Sequence, residues 1–335
     1  MAERGRVVTF GEAMIRLTPP GHERIERTRS LDVTSGGAEL NVAVGLTCLG
    51  WPASWVSVLP ESPLGRLILR DARTAGVDVS TVVVTPDAFG RTGVYFLETA
   101  SDPRPSAIQY DRAESAFSRV EPGMLDWPRL LDGAAGFHLS GITPAVSERC
   151  RSEVMTAMRA ANVAGVPVFF DLNYRSKLWG ENEARACFVE MAPLVDVMFA
   201  SRSGLATFFG ITGGHAEVLA TACERLGMAA CALTRKKGKA SRSMRLQGIG
   251  ARADGSVVET GWREIEIVDR VGGGDAFAAG FIAGYLEEPA DLMLALELGL
   301  AASALKHTTP GDFLCATRSE VAAARTAEEG GALLR

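Results

Sequence analysis

Four short apolar runs, at 137–140, 166–171, 197–200 and 230–234, recur along the chain, each followed by a loop and a stretch of helical period. Alternation of this kind predicts a mostly parallel sheet covered by helices on both faces, with ligands bound at the carboxyl ends of the strands. The rhythm is already present near the start, with strands expected at 6–10 and 54–59 and helices at 42–49 and 64–75. It breaks at 88–113, where 94–98 and 107–110 read as an antiparallel hairpin. Together with 12–35, whose polar part has too few apolar residues for a central strand, this hairpin is expected to form a small separate sheet on one α/β domain spanning 1–335. A chain of 335 residues with 47% hydrophobic content can bury a core of that size.

Charge and composition remove several classes of function. A net charge of −5 without a basic face argues against nucleic acid as a partner. The basic cluster Lys236, Lys237, Lys239 and Arg242 reads as a solvated loop or a polyanion site. Six scattered cysteines without a C-x-x-C pair predict reduced core thiols in a cytoplasmic protein, and the four histidines lack metal-ligand spacing. The charged opening Glu3, Arg4 and Arg6 does not read as a leader, and neither 276–286 nor 292–305 reads as a membrane span.

The stretch that concentrates chemistry is Gly272-Gly273-Gly274-Asp275, between the β-branched run 262–268 and an apolar helical stretch. Glycines free the backbone for close approach, and a helix start offers unpaired N–H groups and a positive dipole end to an anion. Asp275 falls in the first turn, where it is either a cap worth about 1 kcal/mol or a base beside the bound anion. A second glycine pair, Gly36-Gly37, precedes Asn41 and another apolar helix. Asp171, Asn173 and Arg175 follow a strand end, where they form either a ligand site or a hydrogen-bonded turn. On the hairpin, Tyr110 and Arg112 are edge residues or a carboxylate clamp. A polar surface loop accounts for His307 and Asp312. The chain has no P-loop, no G-x-G-x-x-G after a strand, no G-x-S-x-G and no H-E-x-x-H.

Gly36-Gly37 with Asn41 and Leu49-Gly50 resembles the N-terminal signature of the ribokinase-like (PfkB) carbohydrate kinases, and Asp269-x-Val-Gly-Gly-Gly-Asp275 resembles their C-terminal one. Within that family, 138–144, 171–179 and 306–313 are similar to stretches of the 2-keto-3-deoxygluconate kinases. The resemblance covers almost the whole chain. It implies a three-layer sandwich with a β-sheet lid, and ATP-dependent phosphorylation of a sugar acid. It implies Gly36, Gly37 and Asn41 on the sugar hydroxyls, and Tyr95, Tyr110, Arg112 and Arg175 around the acid. Asn173, Ser201, Arg235, Gly250, Gly274 and His307 fall on the nucleotide side, with Arg235 expected to meet the phosphates. Asp275 becomes the base and Gly272, Gly273 and Gly274 the anion hole. ATP and Mg2+ are the implied cofactors, with a monovalent cation as a further one. Edges of an exposed lid sheet are expected to pair between copies in a homo-oligomer.

The chain departs from the family at Ser201-Arg202-Ser203-Gly204, where an N-x-x-E pattern is usual, so the glutamate associated with magnesium has no counterpart. That departure keeps open a sugar-acid-binding regulator of the same fold without turnover. A kinase for a neutral sugar such as fructose is the other alternative.

Overall fold

The computed structural model describes residues 4–238 and 243–326, so Lys239 and Arg242 of the basic cluster lie outside the described residues. The strands are β1 (Val7–Phe10), β2 (Met14–Thr18), β3 (Asp32–Gly36), β4 (Ala53–Pro60), β5 (Val82–Thr85), β6 (Val94–Glu98) and β7 (Ala107–Asp111). They continue with β8 (Gly136–Ser140), β9 (Val168–Asp171), β10 (Val197–Phe199), β11 (Ala230–Lys237), β12 (Ser243–Arg252), β13 (Val257–Glu259) and β14 (Arg263–Glu266). Ten strands form one sheet in the order β13-β12-β11-β10-β9-β8-β1-β4-β5, with β14 also on β12. From β5 to β11 every pairing is parallel, whereas β12, β13 and β14 are antiparallel.

Burial on both faces follows from the strands' composition. All eight residues of β4 and all five of β8 are buried. On β9 the consecutive Phe169 and Phe170 enter different packed clusters, because successive side chains leave opposite faces of a sheet. Each buried aromatic of this kind contributes about 2 to 3 kcal/mol.

Residues 12–35 and 88–113 supply the small sheet, in the order β3-β2-β6-β7. β6 and β7 form the expected antiparallel hairpin, and β6 joins β2 in parallel.

Helices α1 (Ala38–Cys48) and α3 (Gly273–Glu287) begin at the site, and α2 (Arg202–Phe209) and α4 (Leu292–His307) lie beyond its lining. A Cβ on Gly45 would lie 2.6 Å from that of Ala279, so glycine there lets α1 approach α3. The approach brings the two glycine-led helix starts together.

Two expectations need correction. The strand read at 262–268 is only Arg263–Glu266, since Val268 is exposed and 267–272 is irregular backbone. Gly273 and Gly274 are not loop residues but the first helical positions of α3, with Gly272 at φ 82° before them.

Candidate functional site

Among the described residues no side chain caps α3, and Asp275 does not act as its cap. Its Oδ2 instead accepts a hydrogen bond from Asn41 Nδ2 at 2.6 Å. The first N–H groups of α3 therefore have no intrahelical partner and no side-chain acceptor within the helix start. Burial pushes the Asp275 carboxyl up to about 6; the Asn41 hydrogen bond opposes this, Asp312 adds to it, and Arg175 and Lys306 oppose it. The group is mainly ionised at neutral pH and holds an acceptor at the positive end of a helix.

A cavity of about 660 Å³ opens in front of it. The cavity gathers eleven residues expected from the sequence: Gly36, Gly37, Asn41, Tyr95, Tyr110, Arg112, Asn173, Arg175, Gly272, Gly274 and Asp275. Asp171, at the end of β9, faces the same space. Its carboxyl is pushed up to about 7 by burial and then by the charge of Asp275, while it accepts from the Asn173 N–H at 3.1 Å.

Five expected residues do not line this cavity. Ser201 caps α2, its Oγ accepting from Gly204 N–H at 3.0 Å. Arg235 donates to Gln247 Oε1 at 3.2 Å and lies 5.1 Å from the Trp262 ring centroid. Alternation along β11 turns the next side chain the other way, and Lys236 lines the cavity in place of Arg235. Gly250 packs in β12 against Leu292 and Leu296. His307 is buried beneath Gly273, with Nδ1 2.6 Å from Ser303 O. Gly273 is the fifth, its Cα facing that imidazole.

Several side chains of the site went unassigned in the sequence. Glu12, two residues after β1, is paired with Arg112 and both are largely buried. The pair partly compensates the Arg112 charge, while Arg175 has no salt bridge among the described residues and its charge opposes the upward shifts of Asp171 and Asp275; both arginines line the cavity. Tyr95 donates its hydroxyl to Asp312 Oδ2 at 2.6 Å, which engages it within the protein. Arg16, the single charge in β2, bonds Asp269 and Asp312 at 2.5 and 2.8 Å. Glu39 lies buried in α1, its Oε1 accepting from Ser140 N–H, Ser140 Oγ and Thr143 Oγ1 at 2.9, 2.7 and 2.8 Å. A lone charge inside an apolar segment was the available signal for Arg16 and Glu39.

The arrangement suits a phosphorylated ligand. A Cβ on Gly274 would meet nothing within 4 Å, so the start of α3 is open on that side, and Lys236 and Arg270 stand on the same cavity. No group of three or more His, Cys, Asp or Glu side chains able to hold a metal occurs among the described residues. Magnesium commonly takes only one or two carboxylates beside substrate phosphates, so the Asp171 carboxylate on this cavity fits that donor set.

Residues 4–318 match the model of the pfkB family of carbohydrate kinases. A 2-dehydro-3-deoxygalactonokinase of Haloferax volcanii is 39% identical over 316 residues, covering 94% of this chain and 95% of that protein. A 2-dehydro-3-deoxygluconokinase of Bacillus subtilis is 31% identical, covering 91% and 90%. The crystal structure of a 2-dehydro-3-deoxygluconokinase from Thermotoga maritima superposes with a TM-score of 0.93 at 36% identity, covering 97% and 99%. These likenesses extend over both glycine-led helix starts and the cavity between them, and the chain belongs to the pfkB family of carbohydrate kinases.

Proposed function

We propose that the protein transfers the γ-phosphoryl group of ATP to the terminal hydroxyl of a 2-keto-3-deoxy sugar acid, giving a 6-phosphate with 2-keto-3-deoxygluconate. The observation that carries this reading is Asp275, ionised and held by Asn41 at the uncapped start of α3. Asp275 accepts the hydroxyl proton as the oxygen attacks, and the Gly274 N–H group at the open start of α3 faces the developing charge. In a loose transition state that proton is released late, so a carboxylate of modest basicity suffices. In this reading Lys236 and Arg175, both on the cavity, meet the phosphates and the acid respectively. When bound, magnesium would supply positive charge to the phosphoryl oxygens, with Asp171 as its available carboxylate.

The small sheet serves as the lid over the sugar, and its edges are where copies of the chain pair. Six free thiols accord with a cytoplasmic protein. Ser201 and Gly204 leave the magnesium-side carboxylate of the family pattern absent, so the reading requires turnover without it.

ADP release measured with a panel of sugars and sugar acids tests the proposal. Turnover is expected with 2-keto-3-deoxygluconate or its galacto epimer, the second because of the Haloferax relative. Turnover on fructose or ribose with none on either keto-deoxy acid sinks the substrate assignment. Sugar-acid binding without turnover at high magnesium favours the regulator.

A further inference from the structure

Arg16 lies outside the cavity, on β2 of the small sheet, yet its side chain reaches the backbone that leads into α3. Nη2 donates to Asp269 Oδ2 at 2.5 Å and Nη1 to Asp312 Oδ1 at 2.8 Å, with all three side chains 4% exposed. Nε is spent on Thr18 Oγ1 at 2.9 Å. Asp269 in turn accepts from Val271 N–H at 3.0 Å and Gly311 N–H at 3.1 Å, so one carboxylate orders both the loop before Gly272 and the segment after α4. The second oxygen of Asp312 accepts from Tyr95, on β6. Two strands of the small sheet are thereby fastened to the loop that leads into α3 and Asp275, across pairings that share no secondary structure.

The cluster also sets a charge behind the reacting group. Lys306 is fully buried beside it, donating to Thr309 O at 3.2 Å within the field of Asp269 and Asp312. Arg16 and Lys306 balance the two aspartates. Breaking the buried set on one side leaves an uncompensated charge, which is the costly outcome for buried ions.

We propose that Arg16 is a positioning residue for phosphoryl transfer: its two-pronged guanidinium holds Asp269 and Asp312 so that the small sheet and the loop leading into α3 keep one geometry and one charge balance. The proposal deepens the kinase reading and rests on it for its kinetic consequence. Loss of the Arg16 charge leaves the surroundings of Asp275 more negative. The groups facing Asp275 are Asn41 on α1, Arg175 and Asp171 after and at the end of β9, Lys306 on α4, and Asp312. A more negative set favours the protonated carboxyl, so the acid limb of the rate profile moves to higher pH.

The experiment compares wild type with Arg16→Met, Arg16→Lys and the charge-balanced double variant Arg16→Met/Asp312→Asn. Turnover is followed through the acid limb, and amide hydrogen exchange is followed in 267–275. Arg16→Met is expected to lower kcat roughly 100-fold with the sugar-acid KM little changed, and to raise the acid limb by about one pH unit. Arg16→Lys keeps the limb but loses kcat, because an ammonium carries the charge without the fork. The double variant returns the limb toward wild type. Exchange in 267–272 is expected to quicken roughly tenfold in Arg16→Met, as a local opening. An unmoved acid limb with unchanged loop exchange overturns the proposal. If Arg16→Met does not fold, the other two variants decide: limbs equal to wild type with lower kcat in Arg16→Lys support it, and wild-type kcat and exchange in both overturn it. A wild-type chain without turnover fails the kinase reading instead, and the exchange data then decide the coupling alone.

Discussion

Two helices of this molecule begin after glycines and meet at their first turns, but they use those glycines differently. Before α1, the site of a Cβ on Gly36 lies 2.2 Å from Asp312 Oδ2 and 2.9 Å from the Tyr95 hydroxyl, and that of Gly37 lies 2.2 Å from Glu12 O. The protein itself fills that space. At the start of α3, Gly272 and Gly273 are likewise pressed against Asp312 and His307, whereas Gly274 faces open space. A glycine run before a helix thus serves close packing at one terminus and access at the other. What a side chain would meet separates the two uses, and sequence spacing does not.

The contrast is broken most severely at Asp275. Asp275→Asn is expected to lower kcat roughly a thousandfold while calorimetry still detects nucleotide and sugar acid. An unchanged rate would move the base elsewhere. Gly36→Ala then tests packing at α1, with an expected loss of about 2 to 3 kcal/mol in denaturant unfolding from an overpacked, fully occupied site. Unaltered stability would mean that the Asp312–Tyr95 contact gives way freely.

Glu39 sharpens the same comparison through pH. Burial holds its carboxyl up at about 7, against the opposing hydrogen bonds of Ser140 and Thr143. A raised carboxyl stabilises the fold while protonated, so stability is lost as pH rises from the unfolded value through about 7. Glu39 alone should weaken the fold by about 2 kcal/mol between pH 5 and pH 8, and Glu39→Gln should flatten that slope in paired thermal melts. Persistence of the full slope would assign it to other groups, Asp171 first.

Gly274→Ala carries the smallest expected effect and discriminates best. Stability should hold or rise by up to about 1 kcal/mol, since alanine is the better helix former. Turnover should fall roughly tenfold, because a methyl group would stand where the phosphoryl approaches. Loss of stability with intact turnover would make Gly274 a packing residue like Gly36.

The central strands were legible because apolar runs buried on both faces carry a local signal, as in 137–140 and 230–234. Positions of the two glycine-led starts and of Asp275 were legible for the same reason. Pairings were not: Arg112 meets Glu12 across 100 residues, and Arg16 meets Asp269 and Asp312 across 253 and 296. No local pattern encodes such partners. Arg235 is the residue expected from the sequence and Lys236 the one that lines the cavity, because in a run of three cations the face of each depends on strand register and a one-residue difference reverses it. Gly250 and His307 fell inside the core because a glycine or histidine near a strand or helix end gives no sign of its facing.

The most direct test is a crystal structure of the chain with the sugar acid and a non-hydrolysable ATP analogue. The γ-phosphoryl group is expected at the start of α3 beside Gly274, with the terminal hydroxyl of the sugar about 2.6 to 3.2 Å from an Asp275 carboxylate oxygen. A γ-phosphoryl group seated away from that terminus, or a sugar whose terminal hydroxyl faces Gly36 and Gly37 instead, would contradict it.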